Sequence, residues 1–180
     1  VFGLRAMMKA VAAPEGVILI EDNKPDAVAL MEEKVAPYEN IRVVAAKTQY
    51  PEGAEKMLIK KVMGRQVPSG KLPADVGCVV SNTSTAKAIS DAIQKGMPLV
   101  ERAVSVTGDF IRNPGNYMVK LGTNVQELID HCGGITGDDV VLKMGGPMMG
   151  APLKDTNVPI IKGSNGVIAI AADHTEEKEC

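Results

Sequence analysis

The sequence predicts an α/β protein, in which a partial doubly wound parallel sheet with helices on both faces is followed by a small α+β unit of the β-grasp type. Two observations favour this fold class. Over roughly the first hundred residues, short β-branched runs alternate with amphipathic helical stripes, which indicates parallel strands joined by right-handed crossovers. From Gly108 onward, tight turns and short strands replace that alternation.

The elements of the first part follow from apolar spacing and from capping residues. Leu4, Met7 and Met8 lie on one face of the first predicted helix. Asn23 is placed to cap the helix that follows the first strand. In chain order we expect a helix at residues 2–12, a strand at 16–20, a helix at 24–36, a strand at 41–46, a helix at 53–63, a strand at 76–80, a helix at 83–95 and a strand at 99–106.

The second part begins with a predicted hairpin, because the Asn-Pro-Gly-Asn turn at residues 113–116 separates the strand-like runs 103–107 and 117–121. Thr123 and Gln126 match a capping box at the start of a short helix. Further strands are expected at residues 140–143, 158–161 and 167–171. This order predicts one helix packed across a curved sheet.

Composition excludes several classes of function. The 20 basic residues are balanced by 22 acidic ones, and Tyr and Phe number only 3 and 2, which argues against nucleic-acid binding. No apolar run approaches the roughly 18 residues that a membrane span needs. The 3 cysteines and 2 histidines form neither a disulfide framework nor a complete metal site in sequence. Because the chain starts inside a helical pattern and ends on a cysteine, we expect it to be cut from a longer protein.

Two strand-to-helix segments, residues 47–55 and 80–85, are candidate ligand sites, since ligands bind beyond the carboxyl ends of parallel strands and at helix N-termini. Ordinary helix capping is the alternative for both segments. Glu55 is either a functional carboxylate or a first-turn acid stabilised by the helix dipole. The methionine- and glycine-rich residues 144–150 predict either a docking surface or a turn with its methionines in the core.

Five motifs occur in one order along the chain: YPEGAEK at residues 50–56, GRQVPSG at 64–70, LPADVG at 72–77, VTG at 106–108 and MGGPMMG at 144–150. Together they resemble the C subunit of Rnf-type electron transport complexes, and the resemblance covers essentially the whole chain. It implies that residues 1–102 are the C-terminal part of a flavin- and NADH-binding domain like that of respiratory complex I. It also implies a soluble-ligand-binding β-grasp domain at residues 103–172 and a linker toward an iron-sulfur domain at 173–180.

The resemblance further implies a set of cofactor-binding residues. One flavin segment of the family matches the first candidate loop, and a second flavin segment matches the other. The residues concerned are Tyr50, Gly53, Glu55, Val80, Asn82 and Thr85. Cys180 resembles the first cysteine of the family's C-x-x-C motif, so it is a metal ligand only in the full-length protein, where 4Fe-4S clusters are expected.

The function implied by this resemblance is electron input to an ion-translocating NAD:ferredoxin oxidoreductase on the cytoplasmic face of the cell membrane. NAD(H), the other subunits of the complex and, indirectly, ferredoxin-type carriers are the implied partners, and nucleic acid is not among them. Hydride transfer between NAD(H) and FMN needs no catalytic side chain, and none is predicted. The family's glycine-rich phosphate loop does not occur in this chain, so we expect the chain alone to bind no cofactor tightly and to be inactive.

Two other interpretations remain open. A flavin and iron-sulfur reductase of cobalamin metabolism shares both domain types with the Rnf protein. A non-catalytic module, in which the β-grasp domain recognises a ligand or a docking partner, belongs to a different class of function.

Overall fold

The computed structural model describes residues 1–51 and 53–172. The chain divides into two compact units, Val1–Gly96 and Met97–Cys180. A 2-stranded sheet lies in the first unit and a 5-stranded sheet lies in the second.

The first unit alternates helices and strands, as the sequence predicts. Its elements are α1 (Phe2–Ala10), β1 (Gly16–Glu21), α2 (Pro25–Val35), β2 (Ile41–Ala46), α3 (Glu55–Met63), a 3-10 helix (Pro73–Val76) and α4 (Thr83–Lys95). β1 and β2 pair in parallel, from Gly16 opposite Ile41 to Glu21 opposite Ala46. The carboxyl ends of both strands therefore lie at the same edge of the sheet.

Helices contact both faces of this sheet. Met8 of α1, Val35 of α2 and Ile41 of β2 form a buried cluster on one face. Arg42 points to the opposite face, because neighbouring side chains of a strand alternate. Its guanidinium donates a hydrogen bond to the Val62 carbonyl near the end of α3, so α3 contacts that second face. The predicted α/β class is confirmed.

A close contact between backbones joins α1 to α4. Gly3 is buried, and a Cβ atom added to it would lie 1.8 Å from the Ala86 carbonyl oxygen. Only glycine permits the two helices to approach this closely.

The predicted strand at residues 76–80 is wrong. Pro73–Val76 is a 3-10 helix, and Gly77 after it has a left-handed backbone with φ of 67°. The Arg65 guanidinium donates to the carbonyls of Val76 at 2.8 Å and Gly77 at 3.3 Å. Because a side chain takes these acceptors, they are not available to a neighbouring strand.

The predicted cap of the second helix is also wrong. Lys24, not Asn23, is the N-cap residue of α2, and it makes no side-chain capping bond. The Asn23 side-chain oxygen instead accepts a hydrogen bond from the Lys24 ammonium at 3.0 Å. Pro25 at the start of α2 lacks an N–H group, which reduces the need for a cap.

The second unit is a mixed sheet with one helix. Its elements are β3 (Glu101–Thr107), β4 (Gly115–Lys120), α5 (Val125–His131), β5 (Val140–Met144), β6 (Ala151–Pro152) and β7 (Gly166–Ala171). The strand order is β4-β3-β7-β5-β6. β3 and β7 run parallel and the other pairs are antiparallel.

One apolar face of α5 closes the core of this sheet. Val125, Leu128 and Ile129 of the helix are buried in one cluster with strand residues. The strand members of the cluster are Val104, Val106, Val119, Leu142, Val167 and Ala169. A helix packed across a mixed sheet is the predicted β-grasp-like arrangement, which is confirmed.

Several details of the second unit differ from the sequence prediction. The run at residues 99–106 is not a strand of the first unit, since β3 pairs with β4 and β7. The units divide after Gly96, whereas the sequence placed the division after residue 102. Residues 158–161 form no strand, and their one sheet-like contact is an isolated bridge between Asn124 and Pro159.

The helix cap of α5 differs as well. Asn124, not Thr123, is the N-cap residue, and its side-chain oxygen accepts a hydrogen bond from the Gln126 N–H at 2.9 Å. The Gln126 side chain bonds Asp130 and Thr156 rather than reaching back to a cap. The capping box of Thr123 and Gln126 is therefore wrong.

The α1–α4 contact yields a stability prediction. Gly3→Val places side-chain atoms against the Ala86 carbonyl, so we expect a loss of about 1–3 kcal/mol in the free energy of unfolding, measured by urea denaturation. Gly53→Val is the matched control, because no described atom lies within 4 Å of a Cβ there, and it should change stability by less than about 0.5 kcal/mol. Equal stability of the two variants would contradict the close helix approach.

The cap of α5 yields a second prediction. Asn124→Ala removes the acceptor for the Gln126 N–H and the side-chain contact with Asn157, so thermal unfolding should show a loss of about 1–2 kcal/mol. Thr123→Ala is the control and should cost clearly less. A larger loss of stability for Thr123→Ala than for Asn124→Ala would instead support the capping box of Thr123 and Gln126.

Candidate functional site

The carboxyl edge of the β1–β2 sheet is closed by hydrogen bonds between the two loops that leave it. The Asp22 N–H donates to the Ala46 carbonyl at 2.8 Å, which extends the strand pairing. One carboxylate oxygen of Asp22 then accepts two hydrogen bonds from Thr48, from its N–H at 3.0 Å and from its hydroxyl at 2.9 Å. Thr48 is thereby fixed two residues before Tyr50.

These bonds change the acidity of Asp22. The Thr48 N–H and then the Thr48 hydroxyl stabilise the carboxylate and hold its pKa below the ordinary value of 3.8, and the nearby Lys47 charge acts in the same direction. Sequence reasoning missed this pair. A carboxylate just after one parallel strand and a hydroxyl just after the next are the signal that points to it.

Tyr50, Gly53 and Glu55 lie in the connection that leads from this edge into α3. The Tyr50 side chain is 70% exposed, and Glu55 is the exposed first residue of the helix. No described atom lies within 4 Å of a Cβ at Gly53. Open space, an aromatic face and a carboxylate therefore occur together in this segment, whose residue Glu52 lies outside the described residues.

The first turn of α3 has unused hydrogen-bond donors. Its N-cap residue, Ala54, makes no side-chain capping bond. The N–H groups of Glu55 and Lys56 have no acceptor within the helix, as at any helix start, and no other acceptor among the residues that the structure describes. They add to the positive end of the helix dipole. The arrangement can receive an anionic or carbonyl oxygen.

The start of α4 is different, because its donors are used internally. The Asn82 side-chain oxygen accepts a hydrogen bond from the Ser84 N–H at 2.8 Å. The Thr85 N–H donates to the Asn82 carbonyl at 3.0 Å. Asn82 is thus a helix cap, the alternative considered for this segment, while the side chains of Val80, Asn82 and Thr85 remain exposed.

The two candidate segments are positioned by different parts of the first unit. Residues 50–55 follow β2, as predicted. Residues 80–85 do not leave a strand, so the prediction of two strand ends at one rim is wrong in that respect. The packing of α4 on α1 at Gly3 and Ala86 positions the second segment instead.

The methionine- and glycine-rich segment lies on the surface of the second unit. Met148 and Met149 are 67% and 88% exposed, so the alternative of methionines in the core is wrong for these two residues. The Gly150 N–H donates to the Gly146 carbonyl at 2.7 Å, and the Lys143 ammonium donates to the Pro147 carbonyl at 3.1 Å. These bonds hold the loop in a tight turn that presents the two methionines outward.

No group of three or more His, Cys, Asp or Glu residues that could bind a metal ion occurs in the described ranges, 1–51 and 53–172. Cys78 and Cys132 are free thiols, and Cys132 is fully buried. Cys180 lies outside the described residues. None of the described helices is both long and apolar enough to cross a membrane.

Comparison with known proteins finds similar proteins in several bacteria, among them the following three. The chain is 42% identical over 177 residues to the C subunit of a proton-translocating ferredoxin:NAD(+) oxidoreductase complex of Clostridium ljungdahlii, covering 98% of the chain and 38% of that protein. It is 40% identical to the C subunit of a Na(+)-translocating ferredoxin:NAD(+) oxidoreductase complex of Acetobacterium woodii, covering 96% and 39%. It is 42% identical to the C subunit of an ion-translocating oxidoreductase complex of Rhodobacter capsulatus, covering 97% and 34%. The chain therefore spans less than two fifths of the length of these relatives.

Family models match both parts of the chain. Residues 103–152 match the SLBB domain, which fits the β-grasp-like second unit. Residues 1–91, half of the chain, match the Nuo51 FMN-binding domain. The chain therefore belongs to the Nuo51 FMN-binding domain family and carries an SLBB domain after it, as its resemblance to the C subunit of Rnf-type complexes implied.

Proposed function

We propose that this chain is part of the electron-input subunit of a membrane-associated, ion-translocating NAD:ferredoxin oxidoreductase complex. Its family and the names of its relatives support this proposal. The observation that carries it is the uncapped start of α3, beside open space at Gly53 and the exposed ring of Tyr50. The same names favour this function over the related cobalamin reductase.

The residues of the first candidate segment fit one side of FMN. The N–H groups of Glu55 and Lys56 suit a flavin oxygen, and the Tyr50 ring offers a face for stacking. Gly53 leaves room for a close approach of the flavin to the backbone. Bound FMN would supply the acceptance of a hydride and the release of single electrons.

Asp22 is proposed as a positioning residue for this segment. Its two hydrogen bonds from Thr48 hold the beginning of the β2–α3 connection against the end of β1. Fixing the connection there limits the conformations that Tyr50 and Gly53 sample before a ligand binds. Pre-organisation of this kind reduces the loss of conformational entropy on binding.

Val80, Asn82 and Thr85 are proposed as the second flavin segment. Their exposed side chains leave an apolar surface, an amide N–H₂ and a hydroxyl for contact with a ligand. The Asn82 N–H₂ group can contact a ligand while the side-chain oxygen of the same residue caps α4. No side chain of either segment is assigned a proton transfer, because the flavin carries the redox chemistry.

The remaining partners belong to the longer protein and its complex. Cys180 is proposed as one ligand of a 4Fe-4S cluster in the full-length protein, and such a cluster needs three further ligands. NAD(H), the other subunits and, indirectly, ferredoxin-type carriers are the proposed partners. The proposed place of the protein is the cytoplasmic face of the cell membrane.

A docking role of the second unit is a second candidate function. The exposure of Met148 and Met149 favours it, because flexible thioether side chains adapt to a partner surface. This role is compatible with electron input by the first unit, since the two functions use different units.

The flavin site is tested with the full-length protein and fluorescence titration of FMN. Gly53→Val fills the open space beside α3, so we expect the dissociation constant to rise at least about tenfold, or about 1.4 kcal/mol. Glu55→Ala and Asn82→Ala should also weaken binding. Gly163→Val is the matched control, because it adds the same side chain to open space in the second unit. Unchanged affinity in Gly53→Val, Glu55→Ala and Asn82→Ala would remove the site.

The Asp22–Thr48 pair predicts a dependence of stability on pH. Since the folded pKa of Asp22 is lowered, its stabilisation is complete above the ordinary value of 3.8 and is lost as the pH falls through the folded pKa. The urea midpoint of the chain should therefore fall more steeply below about pH 4 than that of Asp22→Asn. Glu32→Gln, which removes an exposed carboxylate on α2, should keep the steep slope. Identical slopes for the chain and Asp22→Asn would show that the pair does not stabilise the edge.

A further inference from the structure

A cleft of about 420 Å³ lies at the amino edge of the β1–β2 sheet, within the first unit. Its floor includes Met8, which is 8% exposed, and its rim includes the basic residues Arg5 and Lys9 of α1. Tyr38 and Asn40, which precede β2, form the facing wall. A volume of this size holds a small organic molecule.

This cleft is separate from the first proposed flavin segment, residues 50–55. Asn40 lies just before β2, and its carbonyl accepts a hydrogen bond from the Gly16 N–H at the start of β1. Asp22 and Thr48 lie past the opposite ends of the same strands. Six residues of strand, at about 3.3 Å each, span about 20 Å, so one small ligand does not reach both edges.

The rim of the cleft carries two positive charges on one helix face. Arg5 and Lys9 are four residues apart on α1, a spacing that brings like charges together and costs free energy. Neither forms an ion pair with a carboxylate among the described residues. The nearby Glu15 is paired with Arg42. A bound anion would relieve the repulsion between Arg5 and Lys9.

The Arg5 guanidinium is held in place by Tyr38. Its central carbon lies 4.4 Å from the centre of the Tyr38 ring, and one of its nitrogens donates to the Tyr38 hydroxyl at 3.2 Å. Stacking fixes the plane of the guanidinium and leaves its other N–H donors for a second acceptor. A planar fork of donors suits the oxygens of a phosphate.

The apolar floor has its own consequence for the ligand. Ala12 has a left-handed backbone with φ of 52°, which turns the chain from the end of α1 toward β1 and makes the wall beside Met8. Inorganic phosphate would not contact this surface. The cleft therefore has room for an organic group next to the charged rim.

We propose that this cleft binds a small organic phosphate monoester, with the phosphate between Arg5 and Lys9 and the organic group over Met8. A phosphate monoester carries about −1.5 to −2 charges at neutral pH, which matches two cations better than a single carboxylate does. The assignment does not rest on the proposed electron-transfer function, because it uses none of the residues of the flavin segments.

Isothermal titration calorimetry of the chain tests this site, with adenosine 5′-monophosphate, glucose 6-phosphate, inorganic phosphate and adenosine as probes. At least one monoester should bind more tightly than inorganic phosphate and adenosine, and the comparison of the two monoesters distinguishes a nucleotide from a sugar phosphate. Arg5→Gln combined with Lys9→Gln should weaken binding at least about tenfold, since both charge-assisted contacts are lost. Lys34→Gln combined with Lys60→Gln removes the same charge from exposed helix positions and should change affinity less than about twofold.

Lys9→Gln alone keeps the test interpretable if loss of the Arg5–Tyr38 contact unfolds the chain. Lys9 makes no side-chain hydrogen bond or ion pair within the described residues, so this variant should fold normally and still bind the monoester several-fold more weakly. Three results would overturn the proposal: no monoester binding at millimolar concentration, equal affinity for the monoester and inorganic phosphate, or equal losses in the cleft and control variants.

Discussion

The parallel pairing of β1 with β2, closed by the bonds from Thr48 to Asp22, is the constraint on which the first unit depends. Six paired residues set both strand ends at one edge, and the carboxylate joins the loops that leave it. The position of the β2–α3 connection follows from this link, because Thr48 lies only two residues before Tyr50. The carboxyl edge of the β1–β2 sheet is thus positioned by the strand register and by the Asp22 carboxylate, rather than by a large apolar core.

The two helix starts show how different N-cap residues lead to different hydrogen bonding. Ala54 provides no side-chain cap for α3, and the N–H groups of Glu55 and Lys56 have no acceptor among residues 1–51 and 53–172. Asn82 caps α4 and takes up the Ser84 N–H. The Ser/Thr/Asn-rich start of α4 is therefore explained first by its own hydrogen bonds.

Much of the fold followed from local sequence signals, and the errors arose where side chains compete for the backbone. Amphipathic spacing located α1 to α4 and the first two strands to within a few residues. The apolar run after Asp75 indicated a strand, but Arg65 binds the Val76 and Gly77 carbonyls, a long-range contact that no local pattern contains. Asn124 and Thr123 are both good caps, and the bridge to Pro159 favours Asn124. The Asp22–Thr48 pair and the Arg5–Tyr38 contact are likewise set by tertiary structure.

The most direct test of the account is an amide chemical-shift titration of the full-length protein with FMN. If the uncapped start of α3 holds the flavin, the largest shifts should occur at the amides of Gly53, Glu55 and Lys56, with smaller shifts at Thr48. Unchanged shifts at these four amides when the protein is saturated with FMN would contradict it.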